Sequence, residues 1–260
     1  IKMIHIFVLL HETVDALLAD RNTGIYVDGT FGRGGHTRLL LSKLDEHSKV
    51  YAFDKDPQAL EVAYQLEKED PRFKIIHASF ADLQQELNQL DIYQVDGIMA
   101  DLGVSSPQLD QADRGFSFMK DGPLDMRMDN SQGQTAADWL VDVDEEHLAN
   151  VIFQYGEERY SRRIARAIKQ AGYIETTGKL AEIVKVAHPK WEKNKHDATR
   201  TFQDIRNEIN KELDDVHTFL PQAVDLLKSN ARLAVISFHS LEDRIIKQFI
   251  QKESTLPEDN

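Results

Sequence analysis

Ile25-Tyr26-Val27-Asp28-Gly29-Thr30-Phe31-Gly32-Arg33-Gly34-Gly35-His36 is an apolar run that ends in an acid and passes straight into a glycine-rich turn. A run with helical spacing, Thr37 to Leu44, follows, so the order reads strand, tight loop, helix N-terminus. Glycine lets the backbone take left-handed angles and approach a ligand without a Cβ in the way. Gly29, Gly32, Gly34 and Gly35 crowd into this one turn, which predicts a cradle for a small molecule rather than a plain connection.

Three ligand classes use such a turn. A nucleotide P-loop needs Lys and then Ser or Thr after its last glycine, whereas His36-Thr37 stands here. A dinucleotide fingerprint fits Gly32 and Gly34, but its third glycine position holds Thr37, and Asp28 would face a pyrophosphate of like charge. S-adenosylmethionine carries an ammonium and a sulfonium and no phosphate. An acid at the strand end then helps, with Asp28 holding the ammonium directly or through water. A second apolar run, Val50-Tyr51-Ala52-Phe53-Asp54, ends in an acid about twenty residues beyond the turn, the spacing at which a carboxylate accepts the hydroxyls of a ribose. Asp56-Pro57 already supplies the cap and first-turn proline of the next helix, which leaves Asp54 for the ligand.

At 260 residues the chain suits one large α/β domain with an insertion, or two domains. Hydrophobic content of 41% and charged content of 29% describe a soluble globule. No long apolar run and no signal-peptide pattern occur, so a cytoplasmic location is expected. The absence of cysteine removes disulfides, thiolate zinc sites, an iron–sulfur cluster and the nucleophile that methylation of pyrimidine C5 needs. Methyl transfer would then be direct displacement onto a heteroatom. No His-Glu-x-x-His spacing appears, and no catalytic metal is expected.

Past the opening motif the chain alternates. Strands are predicted at Lys49 to Asp54, Phe73 to His77 and Val95 to Asp101, separated by helices, one of them over Asp56 to Glu67. That alternation implies a parallel sheet with ligands at the carboxyl ends of its strands, where Asp28, Asp54, Phe80 and Asp101 all fall. Phe80 offers a face for an adenine or belongs to the core. Leu102 to Asp129 is then polar, punctuated by Gly and Pro, and too long for an idle connection. Thr135 to Lys228 reads as helical, as does Val8 to Leu18 near the start of the chain. Strand character returns at Arg232 to Phe238. The expected organisation is a core of residues 1–108 and 214–260 around a helical insertion of residues 109–213.

Net charge is −13, which opposes broad nucleic-acid binding, but its distribution is uneven. Gly156 to Gln170 holds Arg159, Arg162, Arg163, Arg166 and Lys169 against two acids, and Lys185 to Lys211 is basic as well, Arg200 included. Such segments serve either as a confined contact surface for an anionic polymer or as a salt-bridged solvated face.

An amine conjugated to a base ring is a weak nucleophile, and acceptors for its N–H bonds orient its lone pair at a methyl donor. Asp101 and the Ser105 or Ser106 hydroxyl are groups of that kind. His239, just past the last predicted strand, is a candidate to contact the base or take up the released proton.

Taken together, the chain resembles the bacterial 16S ribosomal RNA (cytosine-N4)-methyltransferases, the RsmH or MraW family. The resemblance is carried by Leu10 to Val14, Asp28 to His36, Ala100 to Asp129 with Arg114-Gly115-Phe116-Ser117-Phe118 and Asp125-Met126-Arg127-Met128-Asp129, Tyr155 to Arg159, Ala198 to Gln203 and Ile236 to Ile245. It implies a Rossmann-like, class I S-adenosylmethionine-dependent methyltransferase sheet with an all-α insertion between the fourth and fifth predicted strands. It also implies methylation of a cytosine N4 amine in the decoding region of the small ribosomal subunit. Cofactor contacts are carried onto Gly34, Gly35, His36, Asp54, Phe80, Asp101 and Gln108, which gives Asp101 a second role beside the catalytic one. The basic helices become RNA-facing, with Arg159, Arg162, Arg163, Arg166 and Arg200 as contacts. The expected partner is 16S ribosomal RNA or the small subunit, with no membrane; a homodimer is left open. A glycine pair expected before the last strand is replaced by Ser229-Asn230-Ala231, in which Asn230 can take the left-handed angle.

Overall fold

The computed structural model describes residues 2–5, 10–156, 160–188, 196–238 and 240–255. Two compact units emerge: Ile1–Gly103 with Leu213–Asn260, and Val104–Glu212.

The first unit contains β1 (Lys2–His5), α1 (Leu10–Leu18), β2 (Ile25–Asp28), α2 (Gly35–Lys43), β3 (Lys49–Asp54), α3 (Pro57–Glu69), β4 (Phe73–His77), α4 (Leu83–Gln89) and β5 (Val95–Asp101). The second holds α5 (Ser106–Asp110), α6 (Ala136–Asp142), α7 (Glu145–Gly156), α8 (Ser161–Gln170), α9 (Thr177–Ala187) and α10 (His196–Asn210). The chain returns to the first unit with α11 (Glu212–Leu226), β6 (Leu227–Ile236) and α12 (Ser240–Thr255).

The sheet order is β1-β6-β5-β2-β3-β4, and every pairing is parallel. The central strands are buried on both faces, which is why each reads as an apolar run without alternation. Successive residues point to opposite sides. Tyr26, Ala52 and Met99 pack with Val14, Leu17, Leu40, Leu60 and Ala63, which places α1, α2 and α3 on one face. Val27, Phe53 and Ile98 pack with Leu83, Leu87, Phe219, Leu220 and Ile246, which places α4, α11 and α12 on the other. The strand sequence runs outward in both directions from the β2–β5 pair, so a topological switch point lies between them. In open α/β sheets the crevice at such a point is where ligands bind. The helical unit has a core of its own, built from Leu124, Leu148, Ile152, Ile164, Ile168, Leu180, Phe202 and Ile205 among others.

Three features depart from the sequence reading. β1 was not expected: four residues carry no periodic pattern, and what makes them a strand is backbone pairing to β6, Met3 opposite Leu233. The last strand begins at Leu227 rather than Arg232, and α11 ends at Leu226 rather than running to Lys228. Val95 pairs Leu227 but Gly97 pairs Arg232, so residues 228–231 bulge from the ladder. Asn230 absorbs the bend at φ 68°. The junction into the helical unit falls at Gly103 rather than at residue 108, because α5 groups with the helices that follow. Gly103 has φ 107°, an angle side chains resist. No helix among the described residues is long and apolar enough to cross a membrane.

Candidate active site

Asp28 pairs in register with Ala52 on β3 and with Met99 on β5. Asp54 and Asp101 lie two residues beyond those partners, so all three carboxylates point to the α1–α3 face of the sheet. Asp28 forms the floor, and Asp54 and Asp101 stand higher on the neighbouring strands. The glycine turn spans the gap between them.

The turn is braced by the acids it covers. Asp28 is fully buried; its Oδ1 accepts the Thr30 N–H at 3.0 Å and its Oδ2 accepts the Thr37 hydroxyl at 2.7 Å. Both oxygens of Asp28 thus brace the loop, and each keeps a lone pair for a further donor. Asp54 accepts the Gly32 N–H at 2.9 Å and the Asp56 N–H at 2.9 Å. Thr30 Oγ1 accepts the Asp101 N–H at 2.7 Å, which fastens the tip of β5 to the loop. Gly34 caps α2 at φ 87°, and a Cβ there would stand 2.8 Å from the Phe31 ring. Gly35 opens α2 and is exposed. Among the described residues no side chain caps the N-terminus of α2.

Burial raises the Asp28 carboxyl above its ordinary range, opposed by His36 and by the hydrogen bonds from Thr37 and Thr30. Burial likewise raises Asp101, with His36 opposing and Asp28 adding to the rise. Asp54 is pushed up to about 6 by burial, against the pull of the Asp56 and Gly32 amides. His36 Nε2 is buried with no hydrogen-bond partner among the described residues. The result is a dehydrated cluster of carboxyl groups whose ionised forms a bound cation and hydroxyl donors would favour. Phe80 is half-buried just past β4 and meets Phe219 edge-on at 4.9 Å.

In the helical unit, Ser105 caps α5. Its hydroxyl oxygen accepts the Gln108 N–H at 3.4 Å, and Gln108 Oε1 accepts the Ser105 N–H at 2.9 Å. This is a capping box. Ser105 was expected to serve catalysis and Gln108 the cofactor; both are held rigidly by each other. The long segment after Gly103 is internally tied as well. Arg114 donates to the Arg127 and Met128 carbonyls at 3.1 and 3.0 Å, and Asn210 donates to the Met126 carbonyl at 2.8 Å. Arg162, Arg163 and Arg166 are exposed on α8, opposite buried Ile164, Ala165 and Ile168, and Arg200 is exposed on α10. Lys169, by contrast, donates to the Leu140 and Val141 carbonyls at the end of α6. Arg159 and His239 lie outside the described residues. Among the described residues no group of three or more His, Cys, Asp or Glu is disposed to hold a metal ion.

The profile of the MraW methylase family matches residues 2–259. The chain belongs to the MraW methylase family. Ribosomal RNA small subunit methyltransferase H of Acinetobacter baylyi is 78% identical over 258 residues, covering 99% of this chain and 85% of that protein. The protein of the same name from Acinetobacter baumannii strain AYE is 76% identical over 99% of this chain and 84% of its own length. That from Psychrobacter sp. is 57% identical over 98% and 78%. This MraW methylase is therefore a methyltransferase, and its doubly wound parallel sheet is the fold expected from the sequence.

Sequence reading of the MraW methylase missed Thr30 and Thr37. For Thr30 the signal was present: the N–H two residues after an acid at a strand end can donate to that acid in an Asx-turn, whereas Thr37 reaches Asp28 through its hydroxyl from nine residues away.

Proposed function

We propose that this chain transfers a methyl group from S-adenosylmethionine to the N4 amine of a cytosine in 16S ribosomal RNA, in the decoding region of the small subunit, in the cytoplasm. The observation that carries the reading is the trio Asp28, Asp54 and Asp101, which face one way around a glycine turn at the switch point of a parallel sheet. An anionic, dehydrated rim suits a donor bearing a sulfonium and an ammonium and would repel a phosphate-bearing nucleotide. The names of the relatives supply the substrate class, small-subunit ribosomal RNA.

The residues fit the donor. Asp54 keeps acceptor capacity for the ribose hydroxyls, Phe80 offers an aromatic face to the adenine, and Gly34, Gly35 and His36 form the backbone cradle above Asp28. Bound there, the donor supplies an electrophilic methyl on a positively charged sulfur. Asp101 accepts an N–H of the target amine and so aims the nitrogen lone pair. Its raised basicity, which burial produces, also suits it to receive the proton that the amine loses after transfer. Ser105, Gln108 and His239 are proposed, on the family resemblance, to take part in the same reaction. The absence of cysteine directs the chemistry to a heteroatom rather than to pyrimidine C5. Exposed Arg162, Arg163, Arg166 and Arg200, with Arg159, are proposed to meet the RNA backbone.

The test is incubation of the purified protein with labelled donor and small ribosomal subunits, followed by mass-spectrometric mapping of the modified nucleotide. One cytosine carrying an N4 methyl is expected. Label at C5, on a ribose, or only in free metabolites overturns the proposal.

A further inference from the structure

Asp215 lies in the first turn of α11, 136 residues from Ser79 in sequence, yet it sits at the sheet's carboxyl rim. Its Oδ2 accepts both the Ser79 hydroxyl at 3.0 Å and the Lys55 ammonium at 3.3 Å. Lys55 directly follows Asp54, and Ser79 directly precedes Phe80. One helical turn further on, Phe219 meets the Phe80 ring. One face of α11 therefore grips the residues beside the two groups assigned to the adenosine. A third tie joins the same loops: the His77 ring Nε2 lies 3.3 Å from the Lys55 carbonyl oxygen.

The side chains of Lys55 and Asp215 are only 26% and 20% exposed, so water screens this pair far less than it screens a surface pair. A shared carboxylate oxygen that receives two donors from different loops sets the distance between them. The adenosine of a donor is a rigid body with hydroxyls on one part and a flat base on another. A protein that reads both parts must hold its acceptor and its aromatic face at a fixed separation.

We infer that Asp215 is a positioning residue for the adenosine half of the methyl donor, tying the loop of Asp54 to the loop of Phe80. The inference rests on the proposed donor. Asp215 acts on affinity and not on the transfer step, since neither loop it ties carries Asp101.

Titration calorimetry on the intact chain tests this with two probes, S-adenosylhomocysteine and 5′-methylthioadenosine, which keeps the adenosine but lacks the amino-acid end. Asp215→Asn keeps the shape and removes the charge. Both affinities are expected to fall by the same factor, about ten- to a hundredfold, the scale of one charge-assisted hydrogen bond. KM for the donor rises in parallel, and kcat at saturating donor is retained. Lys55→Met attacks the bridge from the other end and is expected to act in the same direction, which keeps the test decisive should Asp215→Asn fold poorly. Unchanged affinity for both probes in either folded variant overturns the inference, as does a loss of kcat at constant KM. Failure of the unmutated chain to bind S-adenosylhomocysteine would overturn the donor assignment itself.

Discussion

Asp54 concentrates the energetic conflict of the site in one side chain. Its carboxyl is raised to about 6, so the folded, ligand-free protein holds a proton that the unfolded chain releases near pH 4. Stability from this group is thus complete below the ordinary carboxylate range and is lost as pH rises through about 6. In the proposed complex ribose hydroxyls would reverse the balance, because they donate to the ionised form. Thermal unfolding of the free protein should show a loss of stability between about pH 4 and 6, and saturating S-adenosylhomocysteine should flatten it. Its affinity should drop about tenfold for each pH unit below about 6. Asp54→Ala should weaken binding by about 1–3 kcal/mol and abolish that pH dependence in calorimetry. Thr30 poses a simpler problem: its hydroxyl oxygen receives the Asp101 N–H. Thr30→Val keeps the volume and strands that amide, which should cost about 1–3 kcal/mol in urea unfolding. Thr30→Ser should recover most of it.

At the level of elements, α8 shows how packing sorts like residues into different work. Ile164, Ala165 and Ile168 bury one face, which fixes Arg162, Arg163 and Arg166 outward, while Lys169 near the end of the helix reaches the carbonyls of α6. Replacing the three arginines with alanine should lower the salt dependence of RNA binding, by roughly 0.7 in logarithmic slope for each phosphate they cease to neutralise. Lys169→Ala should instead lower stability and leave that slope alone; filter binding across a salt series separates the two. In β6, Asn230 carries φ 68° inside the bulge. Asn230→Ala should destabilise by about 1 kcal/mol in urea unfolding and Asn230→Gly should not, since only glycine takes that angle without steric cost. The central strands were legible because burial on both faces turns each into an apolar run, and because the acids at their ends break that run abruptly. β1 and the bulge were not, since both exist only through pairing with a partner far along the chain. Asp215 was illegible for the same reason: nothing near it in sequence announces Ser79 or Lys55.

For the molecule as a whole, the sheet is assembled from two stretches of chain separated by more than a hundred residues, and its core residues come only from those stretches. The helical unit, with a separate core, supplies Ser105, Gln108 and the exposed arginines. At a net charge of −13, the proposed RNA contact would draw on a local basic surface within a Debye length of about 8 Å rather than on the field of the whole chain. The division can be tested by excising residues 104–212. Gly103 and Leu213 both belong to the sheet unit, and a flexible linker of about ten Gly and Ser residues, spanning roughly 18 Å, can join them. The excised protein should unfold in one cooperative transition and still bind S-adenosylhomocysteine, weakened about tenfold if Gln108 contributes one hydrogen bond. It should no longer methylate small subunits. A loss of binding beyond about a hundredfold, with the sheet intact by circular dichroism, would mean that donor recognition is built as much from the helices as from the strand tips.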